Sequence, residues 1–130
     1  MKVVFDTNIF VSALALPGSR AELALQRIIG GVDRLFISKP IIDQLLSVLA
    51  AKFSRDAEEL ARVAVFLSEI AEMVSPQHRI RALDDDPDNR ILECAVAIGA
   101  DVGVTGDRAI LRLAKFRGIR LISLREYLER

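Results

Sequence analysis

Four short apolar, β-prone runs, at 2–5, 34–37, 101–105 and 119–122, restrict the fold most, because stretches of helical periodicity separate them. Short apolar runs bounded by polar or turn residues read as buried strands; apolar residues recurring every three or four positions read as helix. Strands that alternate with helices in this way form a parallel sheet covered on both faces. A length of 130 residues fits one domain with a real core, and no linker, repeat or low-complexity stretch marks a boundary within 1–130.

The helices carry their own punctuation. A short helical turn is expected over 8–14, ending near Pro17-Gly18. Ser19 and Glu22 have capping-box spacing for a helix that Gly30-Gly31 stops. Ser38 is placed to cap a helix that tolerates Pro40 in its first turn, with Ile41, Ile42, Leu45, Leu46 and Leu49 at helical spacing. Ser54 is expected to begin the next helix, whose early acids Asp56, Glu58 and Glu59 suit its N-terminal end. The segment 79–90 reads as a polar loop holding Arg79, Arg81 and the acidic run from Asp84 to Asp88. The helix after it, about 89–98, is apolar nearly all round and should be buried. Further helices are expected at about 108–116 and after Ser123, whose spacing to Glu126 is again that of a capping box.

Composition narrows the chemistry. The chain is 52% hydrophobic with mean hydropathy +0.31, which suggests a well-covered sheet, a buried oligomer interface, or both. No run approaches the roughly 18 apolar residues of a membrane span. Basic and acidic residues balance at 18 each, so any nucleic-acid site must be a local patch. Fourteen of the basic residues are Arg, which suits bidentate phosphate or carboxylate contacts. The single cysteine, Cys94, excludes an intrachain disulfide and reads as a core residue. The single histidine, His78, argues against His- and Cys-rich zinc sites. Asp6 and Asn8 interrupt the early apolar stretch, which argues against an export signal and for a cytoplasmic protein.

Three acids share one structural description. Asp6 follows the first strand, Asp107 follows the strand ending at Thr105, and Asp88 opens the buried helix. In a parallel sheet, strand ends and the following helix starts lie on one edge, where ligands bind. Each acid also has a simpler use as a helix cap. Two like charges about 4 Å apart repel by roughly 4 kcal/mol at an effective dielectric near 20, so a converging trio would protonate or recruit a cation. Without His or Cys nearby, that cation should be hard, Mg²⁺ or Mn²⁺. Such an ion lowers the pKa of bound water and stabilises charge on a phosphoryl oxygen.

These residues resemble the PIN-domain family, and in particular the ribonuclease toxins of prokaryotic toxin–antitoxin pairs. Asp6-Thr7-Asn8 after a strand is similar to the family's opening motif. Asp86-Pro87-Asp88-Asn89-Arg90 resembles its central acidic motif, and Val104-Thr105-Gly106-Asp107 its third. The resemblance implies an α/β/α sandwich around a parallel sheet of four to five strands. It also implies Mg²⁺- or Mn²⁺-dependent hydrolysis of RNA, a cognate antitoxin and a homodimer. It maps the metal-binding acids onto Asp6, Asp88 and Asp107, with Asn8 and Thr105 as supporting polar groups. One position departs: the family's usual Glu on the helix after the second strand is matched by Gln44. Neighbouring Asp43 points about 100° away on a helix and substitutes only if the helix is rotated or the register is off by one. Gln44 therefore also suggests an alternative, a PIN fold with weakened chemistry that serves as a binding module. Arg20, Arg90 and Arg108 lie near the expected edge and are candidates for phosphate contacts or for pairing with the acids. A receiver-type phosphoryl acceptor is disfavoured, since none of Lys2, Lys39, Lys52 and Lys115 ends an expected strand.

Overall fold

A computed structural model describes residues 1–130. The chain runs β1 (Lys2–Phe5), α1 (Thr7–Ala15), α2 (Arg20–Ile29), β2 (Arg34–Ser38), α3 (Lys39–Phe53), α4 (Ala57–Ile70) and β3 (Ala71–Val74). It continues with α5 (Asp86–Ile98), β4 (Val102–Val104), α6 (Arg108–Leu113), β5 (Lys115–Phe116), β6 (Ile119–Ile122) and α7 (Leu124–Leu128). The sheet order is β3-β2-β1-β4-β6-β5. The first five strands in that order are parallel, and only two-residue β5 is antiparallel. The expected parallel α/β sandwich is therefore present. Its sheet has five parallel strands, the upper end of the expected four to five, plus one short antiparallel edge.

β1 lies at the centre, with Val4 in register with Phe36 of β2 on one side and Gly103 of β4 on the other. From β1 the chain builds outward to β2 and β3, then returns to the other side of β1 to lay down β4. The order thus reverses between β1 and β4, and ligands of open parallel sheets bind in the crevice beyond such a reversal. Asp6 ends β1 at this crevice, and Thr105 to Asp107 end β4 there. Since α5 connects β3 to parallel β4, its first turn also starts at this edge, and so does the 75–85 segment before it.

The core is one cluster of 31 buried residues, including Val3, Val4, Phe5, Leu35, Ile37, Ile91 and Leu92 from the sheet and α5. Phe5 packs at a tilt against Phe10 and edge-on against Tyr127, at centroid distances of 5.7 and 5.6 Å. Cys94 is buried in this core, and burial pushes its thiol up to about 12, so it is no nucleophile at neutral pH.

Several local expectations are corrected. Ser54 does not start α4; it ends α3 in the left-handed conformation, with φ 51°. The cap of α4 is Asp56, whose side chain accepts from the Glu59 N–H at 2.8 Å while Glu59 accepts from the Asp56 N–H at 3.3 Å. Asp56→Ala should therefore destabilise the fold by about 1 kcal/mol, read as a lower denaturation midpoint at unchanged slope. Ser19 and Glu22 do not form the expected box: the Ser19 hydroxyl donates to Ser12 O and Glu22 accepts from Gly18 N–H. α5 begins at Asp86, earlier than the expected 89, with Asp85 as its cap. The helix expected over 108–116 stops at Leu113, because residues 115–116 turn into β5. The link from β5 to β6 places Arg117 and Gly118 at φ 49° and 85°, the signs of a type I′ hairpin turn.

Candidate active site

The β1–β4 crevice is built by backbone pairing first. The Asp6 N–H donates to Val104 O at 2.9 Å, extending the ladder one residue past β1. Thr105, fully buried, then donates its hydroxyl to Asp6 Oδ2 at 2.7 Å and accepts the Asp107 N–H at 2.9 Å. One hydroxyl so ties the ends of the two strands together. Asp107 caps α6 through Oδ1, which accepts from Ala109 N–H at 2.8 Å and Ile110 N–H at 3.2 Å. The capping use of Asp107 and its place at the crevice therefore coexist. Asp88 does not cap α5; it stands in the first turn, its N–H bonded to the Asp85 side chain at 3.2 Å. Asp6 itself makes no side-chain cap to α1.

The electrostatics separate this site from the other buried acids. The buried carboxylates are Asp6, Asp33, Asp88 and Glu93. Asp33 has the N-terminal amine at 3.0 Å and Arg27 at 3.5 Å, and Tyr127 donates to it at 2.7 Å. Burial alone would raise its carboxyl, but the Tyr127 bond, the amine and Arg27 hold it below the usual range. Glu93 has Arg90 at 3.0 Å. Asp6 and Asp88 have no basic group within ion-pair distance. Burial raises the Asp6 carboxyl above its ordinary value; the Thr105 hydroxyl pulls it back, the charge of Asp107 pushes it up, and the Asn8 and Thr7 N–H groups oppose that. Asp88 is raised to about 7, first by burial and then by repulsion from Asp107, Asp85 and Asp6. Asp6 and Asp88 thus both feel the charge of Asp107, and Asp88 also that of Asp6.

These acids do not close around a single point: no group of three or more Asp, Glu, His or Cys side chains is arranged to hold an ion as it stands. Three mutually repelling carboxylates have no reason to draw together without a cation. The donor set nonetheless fits one. Two buried carboxylates without a basic partner, and a third whose Oδ2 takes no part in the cap, suit a hard cation held by few carboxylates and its own water. Asp6 and Asp88, with Asp107 beside them, are the residues able to hold it.

Asn8 is exposed in the first turn of α1, next to the crevice. Gln44 and Asp43 divide as the helix phase requires. Gln44 lines a cleft of about 180 Å³ with Thr7, Ile41, Asp86 and Arg90. Asp43 is exposed and pairs with Lys39 one turn back at 2.7 Å. Gln44 is exposed as well, but it is Gln44 and not Asp43 that lines this cleft. Among the arginines, Arg90 pairs with Glu93 rather than with the acid trio, while Arg20 and Arg108 are exposed and make no ion pair.

Two further residues organise this edge. Asn89, fully buried, accepts from Leu83 N–H at 2.9 Å and donates to Leu83 O at 2.8 Å. Glu93 accepts the Ile80 N–H at 2.9 Å. Together they clamp the segment before α5 onto that helix. Their signal in the sequence is a pair of polar residues four apart, one turn of helix, at the head of the apolar part of α5.

A family model described as PIN domain matches residues 2–109. The uncharacterized protein MJ1680 of Methanocaldococcus jannaschii is 26% identical over 117 residues, covering 87% of this chain and 75% of that protein. Among solved structures, the fold is similar to a chain of VapBC2 from Rickettsia felis, a complex bound to a DNA fragment from their promoter. The TM-score is 0.68 at 16% identity, over 95% of this chain and 98% of that one. It is also similar to a chain of VapBC-1 from nontypeable Haemophilus influenzae, with a TM-score of 0.66 at 19% identity, over 96% and 99% of the two chains.

Proposed function

The chain belongs to the PIN domain family, and we propose that it is a Mg²⁺- or Mn²⁺-dependent endoribonuclease, the toxin of a toxin–antitoxin pair. The observation that carries this reading is the pair of buried carboxylates, Asp6 and Asp88, left without a basic partner at the sheet's ligand crevice beside Asp107. A divalent ion bound there supplies an activated water and neutralises charge on the phosphodiester. The chain's own residues do the rest. Thr105 fixes Asp6 by its hydroxyl and anchors the backbone of Asp107, whose carboxylate is held at the start of α6 by the Ala109 and Ile110 N–H groups. Asp88 is presented from the first turn of α5 and must lose its proton before it can ligate. Thr7 and Gln44 line the cleft that receives the substrate beside these acids. Asn8 is read as a further polar contact at its rim.

The likeness in fold to chains of VapBC complexes supports a cognate antitoxin as partner. Exposed Leu16, Leu23, Ile29 and Val32 on and after α1 and α2 support a homodimer. No helix is long and apolar enough to cross a membrane. We read the setting as cytoplasmic, consistent with a lone buried thiol.

The test is cleavage of a panel of RNAs by the purified chain over a titration of Mg²⁺ and Mn²⁺, with a chelator as control. Cleavage that rises with metal and stops with chelator is expected; intact RNA at every metal concentration overturns the reading. Gln44 favours a second reading, a binding module with weakened chemistry, because its neutral amide lines the cleft where the family's usual Glu would stand. Gln44→Glu should raise metal-dependent cleavage about tenfold at subsaturating Mn²⁺, within the scale on which groups around a metal site act. If the original chain is inert and this variant cleaves, the second reading holds.

A further inference from the structure

Beside the acidic crevice lies a second cleft, of about 420 Å³, lined only by Arg79, Arg81, Arg90 and Asp86. In a chain with no net charge, three arginines and one acid around one hollow are a marked local excess. The backbone explains how they converge. Ile80 is buried and its N–H is fixed to Glu93 at 2.9 Å, so Arg79 and Arg81 flank an anchored residue and are both exposed. Asn89 holds Leu83 by both its N–H and its C=O, which fixes the far end of the same segment. Neither Arg79 nor Arg81 has an acidic partner within ion-pair distance, and Arg90 is oriented through Glu93 at 3.0 Å. Asp86 and Arg90 line both this hollow and the cleft that holds Thr7 and Gln44, so the two adjoin.

We propose that Arg79, Arg81 and Arg90 form a binding site for backbone phosphates of single-stranded RNA, next to the phosphodiester at the acids. This deepens the nuclease reading and rests on it for the identity of the nucleic acid. The guanidiniums of Arg79 and Arg81, planar and without acidic partners, are the groups best suited to phosphate oxygens, and Arg90 adds a third beside them, oriented by Glu93. The placement of Arg79 and Arg81 on a clamped segment means that little backbone freedom is lost on binding. The acids repel RNA at the crevice, so attraction has to come from beside it. The site fixes which phosphate reaches the acids and carries no base recognition.

The test is fluorescence anisotropy with a fluorescein-labelled oligouridylate over a range of salt. It is run in an Asp6→Asn background, where binding is read without cleavage. Arg79→Gln/Arg81→Gln should lower affinity about tenfold at low salt and reduce the slope of log K against log[salt] by about 1.4, two phosphate contacts on a single strand. Arg79→Lys/Arg81→Lys should keep most of the slope. An unchanged melting temperature serves as the folding control, since both side chains are exposed and unpaired. Unchanged affinity and slope, or no RNA binding in the Asp6→Asn background, overturns the proposal. Loss of polyglutamate binding with RNA binding unaltered also overturns it, assigning the hollow to an acidic protein segment. The two readings fail separately. Arginine-dependent RNA binding by a chain that never cleaves removes the nuclease and keeps this site. Cleavage with KM unchanged by the double substitution removes this site and keeps the nuclease.

Discussion

Asp88→Asn is expected to lower metal-dependent RNA cleavage on the order of 10²- to 10³-fold, the scale for removing one fixed electrostatic group from a reaction centre. The same substitution should make the metal-free chain more stable. Asp88 is buried among acids and without a cation, and its carboxyl is raised to about 7 from 3.8. A group protonated more readily when folded than when unfolded stabilises the fold only while it keeps that proton. Between about pH 4 and pH 7 the unfolded chain has released the proton and the folded chain still holds it, so stability falls as pH rises through this window. The shift sets an upper bound of about 4 kcal/mol at pH 8. Water at the cleft mouth reduces this, and about 2 kcal/mol, or roughly 6 °C in melting temperature, is the expected gain for the amide variant. A loss of activity accompanied by a lower melting temperature at pH 8 would contradict this account.

Metal should invert the comparison. Mn²⁺ at pH 8 raises the melting temperature of the unaltered chain, because binding to the folded state alone is stabilising. It should raise that of the Asp88→Asn chain far less. At pH 5 the metal effect should shrink in the unaltered chain, since ligation then requires Asp88 to give up its proton. This thermal readout is independent of any RNA substrate.

The parts of the site readable in the sequence are those where an apolar run meets a polar residue. Val3 to Phe5 followed by Asp6, and Val102 to Val104 followed by Thr105, mark strand ends because buried strands of a parallel sheet are apolar on both faces. β3 escapes this rule: it is an edge strand with Glu72 and Met73 exposed, and it follows α4 without a breaking residue. Its pairing is reinforced from outside the sheet face, by two bonds of 2.9 Å from Arg34 to Glu72. The phase of α3 was legible in principle. Ile41, Leu45 and Leu49 are its buried stripe, and Gln44 stands one turn from Ile41 while Asp43 stands one turn from exposed Lys39. The Asp56–Glu59 box was also present in the spacing, whereas Ser54 has only Ala57 three residues on. The polar pair Asn89 and Glu93 was visible in the sequence, but what the two side chains hold was not. Their partners are backbone atoms of a segment without periodicity, and only the fold reveals what a buried amide and carboxylate hold.

Thr105→Val tests whether the two strand ends act as one unit. Valine keeps the buried shape but removes the donor to Asp6 Oδ2 and the acceptor of the Asp107 N–H. Both lost contacts lie in or beside the core, so the cost to stability should be about 2 kcal/mol. The effect on chemistry should be larger, a 10- to 100-fold loss of metal-dependent cleavage, as for groups that orient metal-binding side chains. Its pH signature identifies the cause. The Thr105 hydroxyl is the strongest influence lowering the Asp6 carboxyl against burial. Without it Asp6 ionises only at higher pH and adds a later deprotonation to that of Asp88 on the acid limb of the activity profile, so the limb should move upward and part of the loss should be recovered in alkaline buffer. Thr105→Ser retains the hydroxyl and should restore both the limb and most of the rate. A Val variant whose activity falls equally at every pH would mean that Thr105 supports packing alone, and that Asp6 is not tuned across the sheet from β4.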